Sequence, residues 1–110
     1  MLTENQVPKF ELFQKTIADL DTENHSELHQ KIRSLQKFFQ AEIQPIQSDD
    51  YSLHSVLVEI NKQMRLLSMD ATFLQAARQA ETIHTRVGQI RDRIKLLTQY
   101  CAVILATNPD

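Results

Sequence analysis

The sequence predicts an all-α fold, an antiparallel up-down-up-down four-helix bundle with a longer, coiled-coil-like C-terminal hairpin. Three observations carry that expectation. Turn-forming residues are scarce, with one glycine (Gly88) and three prolines (Pro8, Pro45 and Pro109) in 110 residues. A sheet needs such residues every few positions, and long helices do not. Apolar residues recur at steps of three and four through most of the chain, and only a few polar clusters interrupt them.

The first helix is expected over about 8–20. Proline is tolerated in a first turn, where its missing N–H has no intrahelical partner, and Phe10, Phe13, Ile17 and Leu20 form one stripe. Asp21 to Asn24 reads as a polar link. The second helix is expected over about 26–43, with Ser26 as N-cap and Glu27 favouring the helix dipole. Leu28, Ile32, Leu35, Phe39 and Ile43 carry its stripe, and Pro45 disfavours helix in the residue before it.

The third helix, over about 52–78, places Leu53, Leu57, Ile60, Met64, Leu67, Ala71 and Leu74 at alternating steps of four and three. That 3.5-residue period belongs to left-handed, coiled-coil-like packing. The fourth, over about 82–106, repeats it with Ile83, Val87, Ile90, Ile94, Leu97, Cys101 and Ile104. The two stripes are out of phase, because the rhythm past Leu74 would bury Arg78, Glu81, Thr85 and Gly88. A turn near Gln79 to Thr82, with Thr82 as N-cap, resolves the conflict; the rival is a single helix running through. Helices of ~24 residues span ~36 Å, longer than the first two, so part of the hairpin is expected to lie uncovered.

Residues 1–110 fit one domain. A single cysteine, Cys101, excludes an intrachain disulfide and suits a reducing cytosol. No secretory signal opens the chain, and its longest apolar run, Tyr100 to Ala106, falls far short of the ~20 residues a membrane helix needs. A cytoplasmic, soluble protein is the expectation. Net charge is −2, unevenly spread: residues 1–61 carry 5 Lys/Arg against 10 Asp/Glu, and 62–95 carry 7 against 3.

No catalytic, cofactor or metal centre is recognisable. His25 and His29 stand one helical turn apart without a third ligand, and read as surface histidines. Glu81 and His84 form half of a di-iron motif whose second half is missing. His29 lacks the Lys and Gly spacing of histidine phosphotransfer domains. Arg65, Arg78, Arg86, Arg91 and Arg93, with Lys62 and Lys95, are the most functional-looking set, since Arg suits bidentate contact with carboxylate or phosphate. The bland alternative is a solvated face with scattered ion pairs. Nucleic acid is disfavoured, because Asp70 and Asp92 interleave with the basic residues and no aromatics alternate with them. A chorismate-mutase-like enzyme would also use several Arg, but at another spacing. Leu12, Phe38, Val58, Leu66, Met69 and Tyr100 lie off the core stripes and are candidates for a partner or homodimer surface.

The run Met64-Arg65-Leu66-Leu67-Ser68-Met69-Asp70-Ala71-Thr72-Phe73-Leu74-Gln75-Ala76-Ala77-Arg78-Gln79 resembles the central signature of the cyanobacterial PatD (heterocyst frequency control) family. Phe73 to Gln79 is its most specific part. The stretch Ile90 to Ile104, with Leu97, Tyr100 and Cys101, also resembles that family, whereas residues 1–50 match loosely. One departure is Ala80-Glu81, where a proline is expected soon after Gln79.

The resemblance implies a non-enzymatic regulator of heterocyst differentiation and cell division that binds the tubulin-like division protein FtsZ, or an associated protein, and modulates its assembly. It assigns no site residues. Charge alone nominates Arg65, Arg78, Arg86, Arg91 and Arg93 for the partner surface. Within the signature, Ala76 and Ala77 are expected to permit close helix approach and Arg78 to cap carbonyls at the helix end.

Overall fold

The computed structural model describes residues 2–107. It holds four helices and, among the described residues, no strand: α1 (Gln6–Ala18), α2 (His25–Phe38), α3 (Tyr51–Ala76) and α4 (Ala80–Ala106). Cross-helix contacts fix the topology. Lys9 on α1 meets Glu42 beyond α2 at 2.8 Å. The Ser68 hydroxyl donates to Gln36 Oε1 across α2 and α3 at 3.1 Å. Arg93 reaches Asp70 across α3 and α4, and Gln14 of α1 donates to the Thr98 carbonyl of α4. Each neighbour therefore runs antiparallel to the last, and the ring closes α4 onto α1. The expected up-down-up-down bundle is the observed one, 47 Å long and about 20 Å across.

The predicted stripes form the core. Phe10, Phe13, Ile17, Leu28, Ile32 and Leu35 are all fully buried, as are Ile60, Met64, Leu67, Ile90, Leu97 and Cys101 from the hairpin. Leu57, Ile83 and Ile94 are half-buried at its edge. Phe13 is the aromatic hub: its ring lies edge-on to Phe10 and stacks at 5.7 Å on Phe39 and 6.5 Å on Phe38.

Helix ends differ from the sequence reading in instructive ways. α1 begins two residues before Pro8 because Thr3 and Gln6 form a reciprocal box: the Gln6 N–H donates to Thr3 Oγ1, and the Thr3 N–H to Gln6 Oε1. It ends at Ala18, so Asp19 and Leu20 belong to the link. Asn24, not Ser26, caps α2, its Oδ1 accepting from the Glu27 N–H at 3.2 Å. The last turn of the second helix, Phe39–Ile43, is π-helical, closed by the Gln44 N–H donating to the Phe39 carbonyl at 2.8 Å.

The α3–α4 turn comes earlier than the periodicity suggested. Ala77 and Gln79 adopt extended backbone (ψ 138° and 139°), so α3 stops at Ala76 and Thr82 already lies inside α4. Two extended residues reverse the chain without a residue at positive φ, which is why no glycine marks the place. Ala76 faces solvent and so does not serve close helix approach, while Arg78 stands exposed in the link. Along the hairpin, Arg91 bonds Thr22 in the α1–α2 link, while Ile83 stays half-buried across an open concavity from the start of α2. Val58, Met69, Phe73 and Val103 remain about half exposed. No described helix is long and apolar enough to cross a membrane.

Gly88 sits mid-helix in α4, and a Cβ built there meets nothing within 4 Å. Gly88→Ala is therefore expected to stabilise the domain by about 0.5–1 kcal/mol, mainly by restricting the unfolded chain. The check is a raised urea midpoint with an unchanged m-value. An unchanged or lowered midpoint would contradict the open environment.

Candidate protein-binding surface

Beside its core stripe, α3 carries a second row, Gln63 and Asp70, two turns apart and facing α4. Both are about 95% buried, at 5% exposure each. A lone carboxylate would not sit there, because an unpaired buried charge is strongly penalised. α4 supplies the partners: the Arg93 Nε donates to Asp70 Oδ2 at 3.2 Å, and the Arg86 guanidinium stands 3.6 Å from Oδ1. Arg86 also donates to Gln89 Oε1 at 3.0 Å. Residues 86, 89 and 93 follow the i, i+3, i+7 spacing of one helix face. Two cations against one anion leave this seam with a net positive charge.

Arg86 has a third neighbour. Its guanidinium lies 4.6 Å over the centroid of the Phe73 ring, within cation–π range. Phe73 nevertheless remains 45% exposed, and Met69 on the same side of α3 is 46% exposed. With half-buried Leu66 they make an apolar row at i, i+3, i+7 along the outer side of α3. The sequence reading placed Leu66 and Met69 off the core but gave Phe73 no role beyond the signature.

The five arginines nominated from charge are not one patch. Arg86 and Arg93 converge on Asp70. Arg91 lies on the opposite flank of α4, its Nε donating to Thr22 Oγ1 at 3.0 Å. Arg65 precedes by three residues Ser68, which faces α2, and Arg78 is in the link. Of the other off-stripe residues, Leu12 and Val58 are about half exposed, while Phe38 and Tyr100 are half-buried. His25, Glu81 and His84 are exposed and His29 half-buried, and no metal-sized group of His, Cys, Asp or Glu occurs among the described residues.

Cys101 is a core residue, and burial pushes its thiol from the ordinary 9.0 up to about 12. At pH 8 the thiolate fraction is then on the order of 10⁻⁴, so the native protein should resist iodoacetamide and react only once unfolded, read by mass. The unfolded thiol ionises first as pH rises. Stability is therefore intact below about 9 and falls by about 1.4 kcal/mol per unit between there and about 12. Prompt alkylation of the native protein would contradict this.

The chain gives no match among curated proteins or among solved structures. Residues 7–101, which take in nearly all of the four helices, match the family model of the CRR41 C-terminal domain, and the chain belongs to that family.

Proposed function

We propose that this domain is a non-enzymatic protein-docking module whose working surface is the outer face of the α3–α4 hairpin. The observation that carries the proposal is the exposed apolar row of Leu66, Met69 and Phe73 beside the Arg86 and Arg93 guanidinium groups. Such a face suits an amphipathic helix that inserts two or three apolar anchors and sets carboxylates against the arginines. Residues 62–95 carry 7 Lys/Arg against 3 Asp/Glu, so an acidic partner is favoured.

The resemblance of residues 64–79 to the PatD family nominates the partner to try first, FtsZ or an associated division protein, in a cytoplasmic setting. GTP-dependent co-sedimentation of the purified protein with FtsZ tests it. Enrichment in the polymer pellet, lost in Phe73→Ser and Met69→Ser, is the expected result. No change in either pellet over a wide concentration range would remove FtsZ, and the same two variants would then discriminate partners in an unbiased pull-down.

A second copy of the chain is the alternative occupant of this face, favoured by the heptad-like spacing of its apolar row. Sedimentation equilibrium of wild-type protein and Phe73→Ser separates a homodimer from a monomer awaiting another partner.

A further inference from the structure

A row of basic side chains and imidazoles lies on the other flank of α3, along α2. His25, His29, Arg33 and Lys37 follow one another at i, i+4, i+8 and i+12 and line one side of a trough between α2 and α3. Two adjoining concavities of about 440 and 350 Å³ form it, sharing His29, Ala71 and Gln75. Their floor is apolar, from Ile32, Leu28, Ala71 and Leu74, and their far wall carries Ser68, Thr72 and Gln75. No carboxylate lines either concavity, although the surrounding half of the chain is acidic. Arg33 and Lys37 are exposed and have no ionic partner among the described residues. The Nδ1 atom of His29 is buried with no hydrogen-bond partner. That nitrogen lies on one of the residues shared by the two concavities.

We infer that this trough binds an extended, carboxylate-bearing peptide segment of another protein. The spacing is the main argument. Residues four apart on a helix rise ~6.0 Å and advance ~40° around it, so the row winds gently from the trough towards its rim. Same-side residues of an extended strand repeat every ~6.6 Å. A strand with acidic residues at alternate positions therefore brings successive carboxylates opposite His29, Arg33 and Lys37, while its intervening side chains meet the Ile32–Ala71 floor. From His25 to Lys37 the row spans ~18 Å, room for about five extended residues. A nucleic-acid strand fits less well, because no Phe, Tyr or Trp lines the trough to stack a base. Free phosphate would call for converging cations, and these stand in file. The inference is independent of docking on the α3–α4 face.

The probe is a fluorescein-labelled peptide of alternating Glu and Leu, titrated with the full chain and followed by anisotropy. Saturable binding is expected, weakening as salt rises. The double variant Arg33→Glu/Lys37→Glu, both at exposed positions, should bind about tenfold more weakly or worse, equivalent to about 1.4 kcal/mol. Its circular dichroism should match wild type. Lys15→Glu, half that charge change and placed on α1, should bind as wild type does. Peptide addition should also move the His29 Nδ1 resonance. No saturable binding, or equal weakening by Lys15→Glu, would overturn the assignment. So would easier displacement of the peptide by a thymidine oligonucleotide or by inorganic phosphate than by unlabelled peptide.

Discussion

Phe13→Ala is expected to lower the unfolding free energy by about 3–5 kcal/mol, the range for removing a buried aromatic ring. Phe13 has no exposed surface, and its ring touches Phe10 of its own helix, Phe38 of α2 and Phe39 in the π turn. Truncation removes the shared wall of three other rings, and these belong to two segments, so the cavity cannot close by one side chain moving. A domain of this size has roughly 5–15 kcal/mol in total, and the variant should sit near the edge of folding at 37 °C. Urea denaturation of Phe13→Ala against Phe38→Ala is the measurement. Phe38 is half-buried and should cost clearly less. Equal losses, or a loss under about 1 kcal/mol at Phe13, would mean that the ring cluster does not organise this half of the core.

Asp70→Ala should rank next, at about 2–3 kcal/mol. Removing one partner of a fully buried pair costs roughly 3–5 kcal/mol because the other charge stays behind unpaired. Here the Arg86 and Arg93 side chains are 31% and 25% exposed, against 7% for Asp70. The arginines can turn towards water, which lowers the expected loss. A double-mutant cycle with Arg93→Met separates the contributions. The double variant should be less destabilised than the sum of the singles, since the stranded guanidinium is gone. Strict additivity would show that Asp70 and Arg93 do not act as a pair.

Much of the fold was legible because burial follows helical rhythm. The steps of four and three from Leu53 to Leu74 and from Ile83 to Ile104 identify the buried side of each long helix without knowledge of its neighbours. Boundaries were less legible. At Ala77–Gln79 the chain turns through extended backbone, using residues that also favour helix, so only the phase slip betrayed a break. The Thr3–Gln6 box starts α1 two residues ahead of Pro8, and its reciprocal bonds depend on side-chain rotamers that residue spacing does not set.

The surface was the least legible part. Asp70 looked like a charge interleaved among arginines, and its burial depends on the register that sets residue 70 between 86 and 93. That register is a property of two helices together. Charge counting grouped five arginines that the bundle sends to separate flanks, and it passed over Arg33 and Lys37 because their half of the chain is acidic overall. The i+4 row they make with the two histidines is visible in the sequence, but its meaning required the trough.

The π turn at Phe39–Ile43 bears on how this chain tolerates length change. A π turn holds about one residue more than an α turn. Here it lies at the end of the helix, with α2 before it and the link to α3 after it, so a change in its length is taken up next to a loop. Gln40 and Ala41 on its outer side are exposed, and Phe39 and Ile43 on its inner side are buried. The segment thus works as an expansion joint. A residue gained or lost on its outer side changes the girth of one turn, where the same event within α3 or α4 would rotate a whole heptad seam out of the core.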